Sequence, residues 1–265
     1  MPATRVVIHG AAGRMGKRLV ALAAADPELQ VVAALEAAGH PRLGEDAGTV
    51  AGIAALGVPI TSEIGASADA VIDFSTPAAA EGLIAACVDK RLPLVFATTG
   101  LNESQAAKLQ AAAQVIPVLW APSMSLAVNL AMKLAEVAAR SLRDKDADVE
   151  IIERHHRFKE DAPSGTALRF GRIIAEIMGQ TEHRHGREGR PGARPHAEIG
   201  YHAIRVGDNP GEHTIVFAML GEMIELTVRA SSRDCYVPGA LAGAKYLAGR
   251  PPGMYGMADV LGLNS

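Results

Sequence analysis

Short apolar runs rich in β-branched residues alternate with alanine- and leucine-rich stretches of helical spacing through the first half of the chain. The alanine- and leucine-rich stretches predict helices at 13–25 and 78–90. The apolar runs predict strands at 5–9, 29–36, 70–74, 94–98 and 115–120, and the glycine-rich segment 39–57 predicts a loop. Strands that alternate with helices of this length are typical of a parallel sheet. We therefore expect an α/β chain with an N-terminal Rossmann-type domain.

The pattern changes after residue 124. Long helical periodicities at 126–142 and 166–178 enclose a strand at 149–156, and 181–197 reads as a long surface loop. Apolar, β-prone runs then predict an antiparallel meander at 199–206, 213–220 and 222–230, before a helix at 239–247 and a short element at 257–261. We expect a second, α+β domain with a mixed or antiparallel sheet at 125–235. The first domain is predicted at 1–124, completed by 236–265.

A glycine-rich turn joins the first predicted strand to the first predicted helix. It consists of Gly10, Ala11, Ala12, Gly13, Arg14, Met15 and Gly16. Such a turn exposes backbone N–H groups and a helix N-terminus to a phosphate pair. Glu36, twenty positions after Gly16, closes the second strand, where an acid accepts the ribose hydroxyls of a dinucleotide. The sequence predicts dinucleotide binding, with a mononucleotide or sugar-phosphate site as the alternative.

The loops that follow the later strands are expected to complete this site, because ligands lie outside the carboxyl ends of parallel strands. They contain small hydroxyl residues beside proline or glycine, which suit hydrogen bonds to a nicotinamide or a ribose, although ordinary caps and turns have the same composition. The candidate residues are Phe74, Ser75, Ala97, Thr98, Thr99, Ala121, Pro122, Ser123 and Met124.

The residue after the acid bears on the choice of cofactor between NADH and NADPH. A carboxylate at Glu36 repels a 2′-phosphate, and Ala37 offers no cation to offset it. Arg14 is the nearby cation that could moderate this effect. We expect NADH to be used at least as well as NADPH.

A second cluster of chemically active residues lies between 155 and 166. His155 and Lys159 are candidate proton-transfer residues. His156, with Ser164, Gly165 and Thr166 at a helix start, would bind an anion. Together they would bind a small dicarboxylate and protonate it. The simpler interpretation is a solvated basic loop followed by a serine cap.

A metal site is not predicted, because adjacent strand residues such as His155 and His156 point to opposite faces.

Composition narrows the class of protein. A net charge of −3 and 4% aromatic residues offer neither a basic field nor stacking platforms for a nucleic acid. The absence of a long apolar run predicts no membrane span. The two cysteines, Cys87 and Cys235, lie far apart and predict neither a disulfide framework nor a zinc ribbon. We expect a soluble, cytoplasmic protein.

The segment from His155 to Ala167, HHRFKEDAPSGTA, resembles the signature of the 4-hydroxy-tetrahydrodipicolinate reductases of lysine biosynthesis. The resemblance extends over most of the chain in a series of short matches. These lie at 10–16, 73–75, 98–100, 187–189, 207–208, 211–214 and 230–233.

The resemblance implies an NAD(P)H-dependent reduction of a cyclic dicarboxylic imine that carries a hydroxyl group. It implies that His155 is the acid/base histidine and Lys159 the proton-donating lysine, and that His156, Gly165 and Thr166 bind the substrate. It also implies a homotetramer that associates through the sheets of the second domains. The alternatives are another Rossmann-type reductase, such as one acting on an amino-acid semialdehyde, and a dinucleotide sensor without catalysis.

Overall fold

The structure, a computed structural model, describes residues 2–65 and 67–264 and divides into two units. Residues up to Leu126 and from Tyr236 onward form the first unit, and Ala127–Cys235 forms the second. Met1, Ala66 and Ser265, which fall in the predicted first domain, lie outside the described residues.

The strands are β1 (Thr4–His9), β2 (Leu29–Leu35), β3 (Ile60–Thr61), β4 (Ala70–Asp73), β5 (Leu94–Phe96), β6 (Pro117–Trp120), β7 (Asp148–His155), β8 (Glu182–His185), β9 (Glu198–Arg205), β10 (Glu212–Met219), β11 (Glu222–Arg229) and β12 (Gly253–Tyr255). The helices are α1 (Arg14–Ala25), α2 (Ala47–Ala51), α3 (Pro77–Asp89), α4 (Glu103–Ala112), α5 (Leu126–Leu142), α6 (Gly165–Met178), α7 (Val237–Leu247) and α8 (Met257–Val260). A 3₁₀ turn at Arg233–Tyr236 precedes α7.

The first unit is built on a parallel sheet in the order β12-β6-β5-β4-β1-β2-β3. Its central strands are buried on both faces: Val6, Val7 and Ile8 of β1 are all fully inaccessible to solvent. This explains their continuous apolar sequence, because helices cover both sides of a parallel sheet. Helices α1 and α7 pack on one face and α3 and α4 on the other. The prediction of a Rossmann-type domain is confirmed.

The predicted loop at 39–57 is partly wrong, because it contains the short helix α2. Asp46 caps this helix, and its carboxylate accepts the N–H groups of Thr49, Leu56 and Val58. The hydrogen bond from Thr49, with the others, lowers the pKa of Asp46 to about 2 against the opposing effect of burial. A five-residue helix held by one carboxylate has too few turns to produce a hydrophobic periodicity.

The second unit contains a mixed sheet in the order β11-β10-β7-β9-β8. Residues of β7 alternate between its two faces, and Val149 and Ile151 point inward. Alanines of α5 and the apolar face of α6 cover this inner face. The expected α+β unit with a mixed or antiparallel sheet is confirmed.

Two predictions for the second unit were wrong. The runs at 199–206, 213–220 and 222–230 do not form one meander: β9 pairs in parallel with β7, which separates it from the β10–β11 hairpin. The segment 181–197 is not all loop, since β8 pairs in parallel with β9. The rings of His183 and His185 stack on Tyr201. These ring contacts stabilise the polar edge strand β8, which has no apolar face.

Candidate active site

The glycine turn between β1 and α1 leaves no room for side chains at two positions. Gly10 has a φ of +78°, and a Cβ there would lie 2.8 Å from the backbone oxygen of Phe74. A Cβ on Gly16 would collide with the backbone oxygen of Gly10. Helix α1 begins at Arg14 after Gly13, and no described side chain caps it. Its first N–H groups are thus arranged as in a phosphate-binding helix start.

Glu36 follows β2 directly and is held beside this turn. Its Oε1 accepts a hydrogen bond from the backbone N–H of Ala12 over 2.8 Å. The N–H groups of Gly10 and Ala11 donate to the backbone oxygen of Leu35, the preceding residue, at 2.9 and 3.1 Å. The acid is therefore fixed at the edge of the sheet where a dinucleotide ribose lies in Rossmann-type domains.

A cavity of about 570 Å³ opens beside the turn, a volume suited to part of a dinucleotide. Most of the predicted cofactor-binding residues line it, namely Gly10, Gly13, Arg14, Met15, Glu36, Phe74, Ser75, Ala97, Thr98 and Thr99. It is also lined by Ala37, which follows the acid, by Thr76 in the loop after β4, and by His9 and Ala79, which the sequence did not single out. The absence of side chains at the glycine positions and the acid at its rim fit a nucleotide.

The other predicted cofactor-binding residues do not belong to the described lining of this cavity: Ala11, Ala12, Gly16, Ala121, Pro122, Ser123 and Met124. Ala11 and Gly16 are buried beneath the turn. Ser123 Oγ accepts the N–H of Ser125, and the backbone oxygen of Met124 packs closely against Gly239. A nicotinamide contact from the loop at 121–124 stays a prediction.

His9, which lines this cavity, forms a pair with the buried Asp73. Their strands are parallel neighbours, and His9 Nδ1 lies 2.7 Å from Asp73 Oδ1. Asp73 is completely buried, and its Oδ2 has no partner among the described residues. Both residues close their strands at the same sheet edge, and this common position is the signal from which the pair could have been predicted.

In the second unit, the two-residue period of β7 places Glu153 and His155 on its inner face. Glu153 is 1% exposed, and its Oε2 lies 2.5 Å from His155 Nδ1. Burial alone would raise the pKa of Glu153, but hydrogen bonds from His155 and Arg205 outweigh it and lower the pKa to about 2. The carboxylate is therefore ionised at neutral pH.

His213 lies opposite Glu153 in the antiparallel register of β10 and β7. Its Nε2 is 2.9 Å from Ser164 Oγ, which also accepts the N–H of Ala167 as the cap of α6. Burial, with a smaller effect of His155, lowers the pKa of His213 to about 4. The predicted substrate residue Ser164 is thus engaged within the protein by its hydroxyl group, and it is 2% exposed.

Lys159 lies four residues beyond His155 in the loop before α6. Its Nζ donates to both carboxylate oxygens of Asp161, at 2.7 and 2.9 Å. The hydrogen bond from Lys159 lowers the pKa of Asp161, so the two form an ion pair. Asp161 is largely exposed, so the pair lies near solvent.

His156 and Arg233 place further polar groups in this unit. Nδ1 of His156 is buried and has no hydrogen-bond partner among the described residues, and its Nε2 lies 3.5 Å from a guanidinium nitrogen of Arg233. Gly165 and Thr166 begin α6, a fourteen-residue helix whose N-terminus favours an anion. These groups could hold a carboxylate, and Arg233 was not among the predicted site residues, although it lies in the short family match at 230–233.

Two family models match the chain, "Dihydrodipicolinate reductase, N-terminus" over residues 4–124 and "Dihydrodipicolinate reductase, C-terminus" over residues 127–261. The chain belongs to the dihydrodipicolinate reductase family. The resemblance predicted from the segment 155–167 and the shorter matches is confirmed.

Relatives of this dihydrodipicolinate reductase family member match nearly the whole chain. A 4-hydroxy-tetrahydrodipicolinate reductase from Rhodopirellula baltica is 58% identical over 98% of this chain and 96% of its own length. The one from Alkalilimnicola ehrlichii is 48% identical over 98% and 99%. The chain is an enzyme, an NAD(P)H-dependent oxidoreductase of this family.

Solved structures agree on the fold of the family member. The dipicolinate-bound dihydrodipicolinate reductase from Paenisporosarcina sp. TG-14 superposes with a TM-score of 0.78 at 24% identity, covering 97% of this chain and 98% of that one. Aspartate semialdehyde dehydrogenase II from Vibrio cholerae gives a TM-score of 0.53 at 11% identity, over 99% of both chains. At these identities, each likeness concerns the fold alone.

Proposed function

We propose that the chain reduces 4-hydroxy-2,3,4,5-tetrahydrodipicolinate to 2,3,4,5-tetrahydrodipicolinate, in the diaminopimelate route to lysine. The observation that carries the proposal is the segment 155–166 with its structure. It joins a buried histidine on an ionised carboxylate, a lysine four residues later and a helix N-terminus. A dicarboxylate needs cations and backbone donors, and a reduced imine needs a proton donor.

The residues of the second unit have separate roles in this proposal. The N–H groups at the start of α6, at Gly165 and Thr166, bind one substrate carboxylate with the help of His156. Ser164 acts by capping this helix start, since its hydroxyl group is engaged with His213 and Ala167. Lys159 donates a proton, and His155 exchanges a proton through Nε2, because its Nδ1 is engaged by Glu153.

The chemistry follows from the substrate. Loss of the ring hydroxyl as water gives a conjugated imine, hydride adds at ring C4, and a proton completes the reduction. A bound dihydronicotinamide nucleotide supplies the hydride. The first unit binds this nucleotide through the glycine turn and Glu36, while the second binds the substrate.

We propose further that NADH is used at least as well as NADPH. Glu36 and Ala37 both line the cavity of the first unit, and a 2′-phosphate near them would meet a carboxylate and a methyl group. Arg14 is a cation in the same lining. Glu36 is therefore expected to repel the 2′-phosphate of NADPH, and the uncharged side chain of Ala37 does not offset this repulsion.

The second unit also supports the proposed homotetramer. Strand β11 is an edge of its sheet, with Met223 64% and Ile224 45% exposed. Exposed apolar edge strands associate with other chains unless they are protected. We expect Met223→Lys to reduce the assembled mass in light scattering, while Met254→Lys, an exposed methionine of edge strand β12, should leave it unchanged. A monomeric wild-type chain would contradict the tetramer.

A cytoplasmic location is part of the proposal as well. Within residues 2–65 and 67–264, no helix is long and apolar enough to cross a membrane. The assigned reaction belongs to biosynthetic metabolism, which supports this location.

An acyl-enzyme mechanism of the semialdehyde dehydrogenase kind receives no support from the cysteines. Burial raises the pKa of Cys87 to about 12, and Asp73 adds to the effect. Burial also raises the pKa of Cys235. A nucleophilic cysteine needs the opposite shift, toward the thiolate.

A spectrophotometric assay tests the proposed function. Purified protein and NADH are mixed with substrate made freshly from pyruvate and aspartate semialdehyde through the corresponding synthase. We expect oxidation of NADH that depends on both the protein and the freshly made substrate. Binding of NADH without oxidation would favour a dinucleotide sensor, and no oxidation with either nucleotide would end the proposal.

A further inference from the structure

The Glu153 carboxylate is the centre of a buried network in the second unit. Four donors converge on it: His155 Nδ1 at 2.5 Å, the two terminal nitrogens of Arg205 at 2.8 Å each, and the backbone N–H of Ser164 at 3.1 Å. A side chain that is 1% exposed has no water to replace any of these partners. The carboxylate is therefore the buried acceptor that these four donors share.

The contact to His155 selects one form of the imidazole. An ionised carboxylate only accepts hydrogen bonds, so Nδ1 of His155 carries a proton. In the neutral ring, Nε2 is then the unprotonated nitrogen, and this atom accepts or donates the exchanged proton. The same contact fixes the orientation of the ring, as carboxylates do for histidines in other sites.

Arg205 extends the network to the loop that carries Lys159. Besides its fork on Glu153, the guanidinium donates to the backbone oxygen of Lys159 at 3.3 Å and to that of Asp161 at 2.6 Å. The planar fork of arginine makes these contacts together, which the point charge of a lysine cannot do. One guanidinium thus links the partner of His155 to the backbone beside the lysine.

We propose that Glu153 and Arg205 form a positioning pair that sets both proton-transfer groups at once. Glu153 fixes the tautomer and orientation of His155, and Arg205 holds the loop of Lys159 against the same carboxylate. The inference rests on the proposed function for the identity of the reaction, but its structural part concerns a tautomer that exists without substrate.

Glu153→Gln is the sharpest variant because it keeps the volume of the side chain. The amide retains one acceptor oxygen for four donors, and its NH₂ group needs an acceptor. Nδ1 of His155 can supply one only by losing its proton, which moves the proton to Nε2. We expect kcat to fall by about 10²- to 10⁴-fold, the range for a misplaced proton-transfer group. The affinity for NADH should not change, because the nucleotide site lies in the other unit.

The matched control is Glu150→Gln. Glu150 lies on the same strand, β7, but on its outer face, and it is also a carboxylate held by arginines, Arg187 and Arg194. Hydrogen bonds from Arg187, His202 and Arg194 outweigh burial and lower its pKa to about 2, as in Glu153. We expect this variant to retain kcat, so a loss confined to Glu153→Gln cannot be due to a missing strand carboxylate alone.

Nitrogen-15 NMR of the histidine rings of the full-length protein supplies the second readout. In the wild type we expect the His155 signal of a ring protonated at Nδ1, and in Glu153→Gln the signal of a ring protonated at Nε2. A wild-type ring protonated at Nε2 and not at Nδ1, or a Glu153→Gln variant with full kcat, would overturn the proposal. If Glu153→Gln does not fold, the wild-type spectrum and the kcat of Arg205→Lys, expected to be lowered, decide. If the wild type reduces no substrate, the proposed function fails while the spectrum still tests the tautomer.

Discussion

The carboxylate of Glu36 accepts a hydrogen bond from the backbone N–H of Ala12 over 2.8 Å. This contact joins the end of β2 to the glycine turn and fixes a negative charge at the rim of the cavity. Arg14 is a cation in the described lining of the same cavity, so a nucleotide that binds there lies near both charges.

The first prediction concerns the choice of nucleotide. Replacing Ala37, which lines the cavity, by arginine should supply the missing cation for a 2′-phosphate. A charged hydrogen bond contributes about 1.5–3 kcal/mol, so kcat/KM with NADPH should rise by about 10- to 150-fold relative to NADH. Ala38→Arg, one residue further and outside the cavity lining, is the control. A wild type with a strong preference for NADPH would contradict the argument from Glu36.

The second prediction concerns Gly16, the glycine of the turn where an added Cβ would come closest to the backbone. Gly16→Ala places a Cβ against the backbone of Gly10, and overpacking of this kind costs about 1–3 kcal/mol of stability. Both the melting temperature and the affinity for NADH should fall. Gly82→Ala, in α3 with open space around the new methyl group, should instead stabilise the fold by about 0.5–1 kcal/mol. Equal melting temperatures for the two variants would refute the predicted collision.

The third prediction concerns proton donation. Lys159→Ala removes the ammonium group that Asp161 holds, and kcat should fall by about 10²- to 10⁴-fold. Lys145→Ala, in the turn after α5, removes an equal charge from the same unit and should leave kcat unchanged. The steady-state rates of the two variants, measured side by side, decide whether Lys159 takes part.

The fourth prediction concerns the stability of the protein in mild acid. The unfolded chain takes up a proton on His213 near pH 6.5, whereas burial lowers the pKa in the folded state to about 4. The unfolded state therefore binds more protons between these values, and the free energy of unfolding falls as the pH is lowered from 6.5 to 4. The contribution is complete above this window and amounts to about 3 kcal/mol at most.

Urea unfolding at several pH values measures this effect. His213→Gln cannot take up the proton, so its free energy of unfolding should depend less on pH between 6.5 and 4. His196→Gln, which replaces an exposed histidine, should keep the pH dependence of the wild type. A steep wild-type dependence that persists in His213→Gln would assign the effect to another group.

The sequence predicted the elements that carry a strong hydrophobic period. The long helix at 126–142 and the buried strand after the N-terminus follow directly from their patterns. Helix α2 was missed because its five residues are too few to show a helical period, and β8 because ring contacts with Tyr201 stabilise an exposed polar strand. The position of β9 beside β7 depends on the order of strands in space, which periodicity does not report.

The same limit applies to the candidate site. His155 and Lys159 were singled out as candidates because they are close in sequence, and the glycine turn because its spacing is characteristic. Arg205 and His213 lie 50 or more positions from His155 along the chain and reach it only through strand pairing. Glu153 could have been found, because a glutamate two residues before a histidine on an alternating strand shares its face.

Helix α7 gives the first unit a dependence on the order of synthesis. Val237, Ala240, Leu241, Ala244 and Leu247 belong to its buried core, next to Val6 and Ile8 from the first strand. While the ribosome is still translating the second unit, these five side chains are missing, and the face of the sheet that they cover is open to water. The first unit therefore becomes whole only after the second unit has emerged, so the part of the fold that is begun first is finished last.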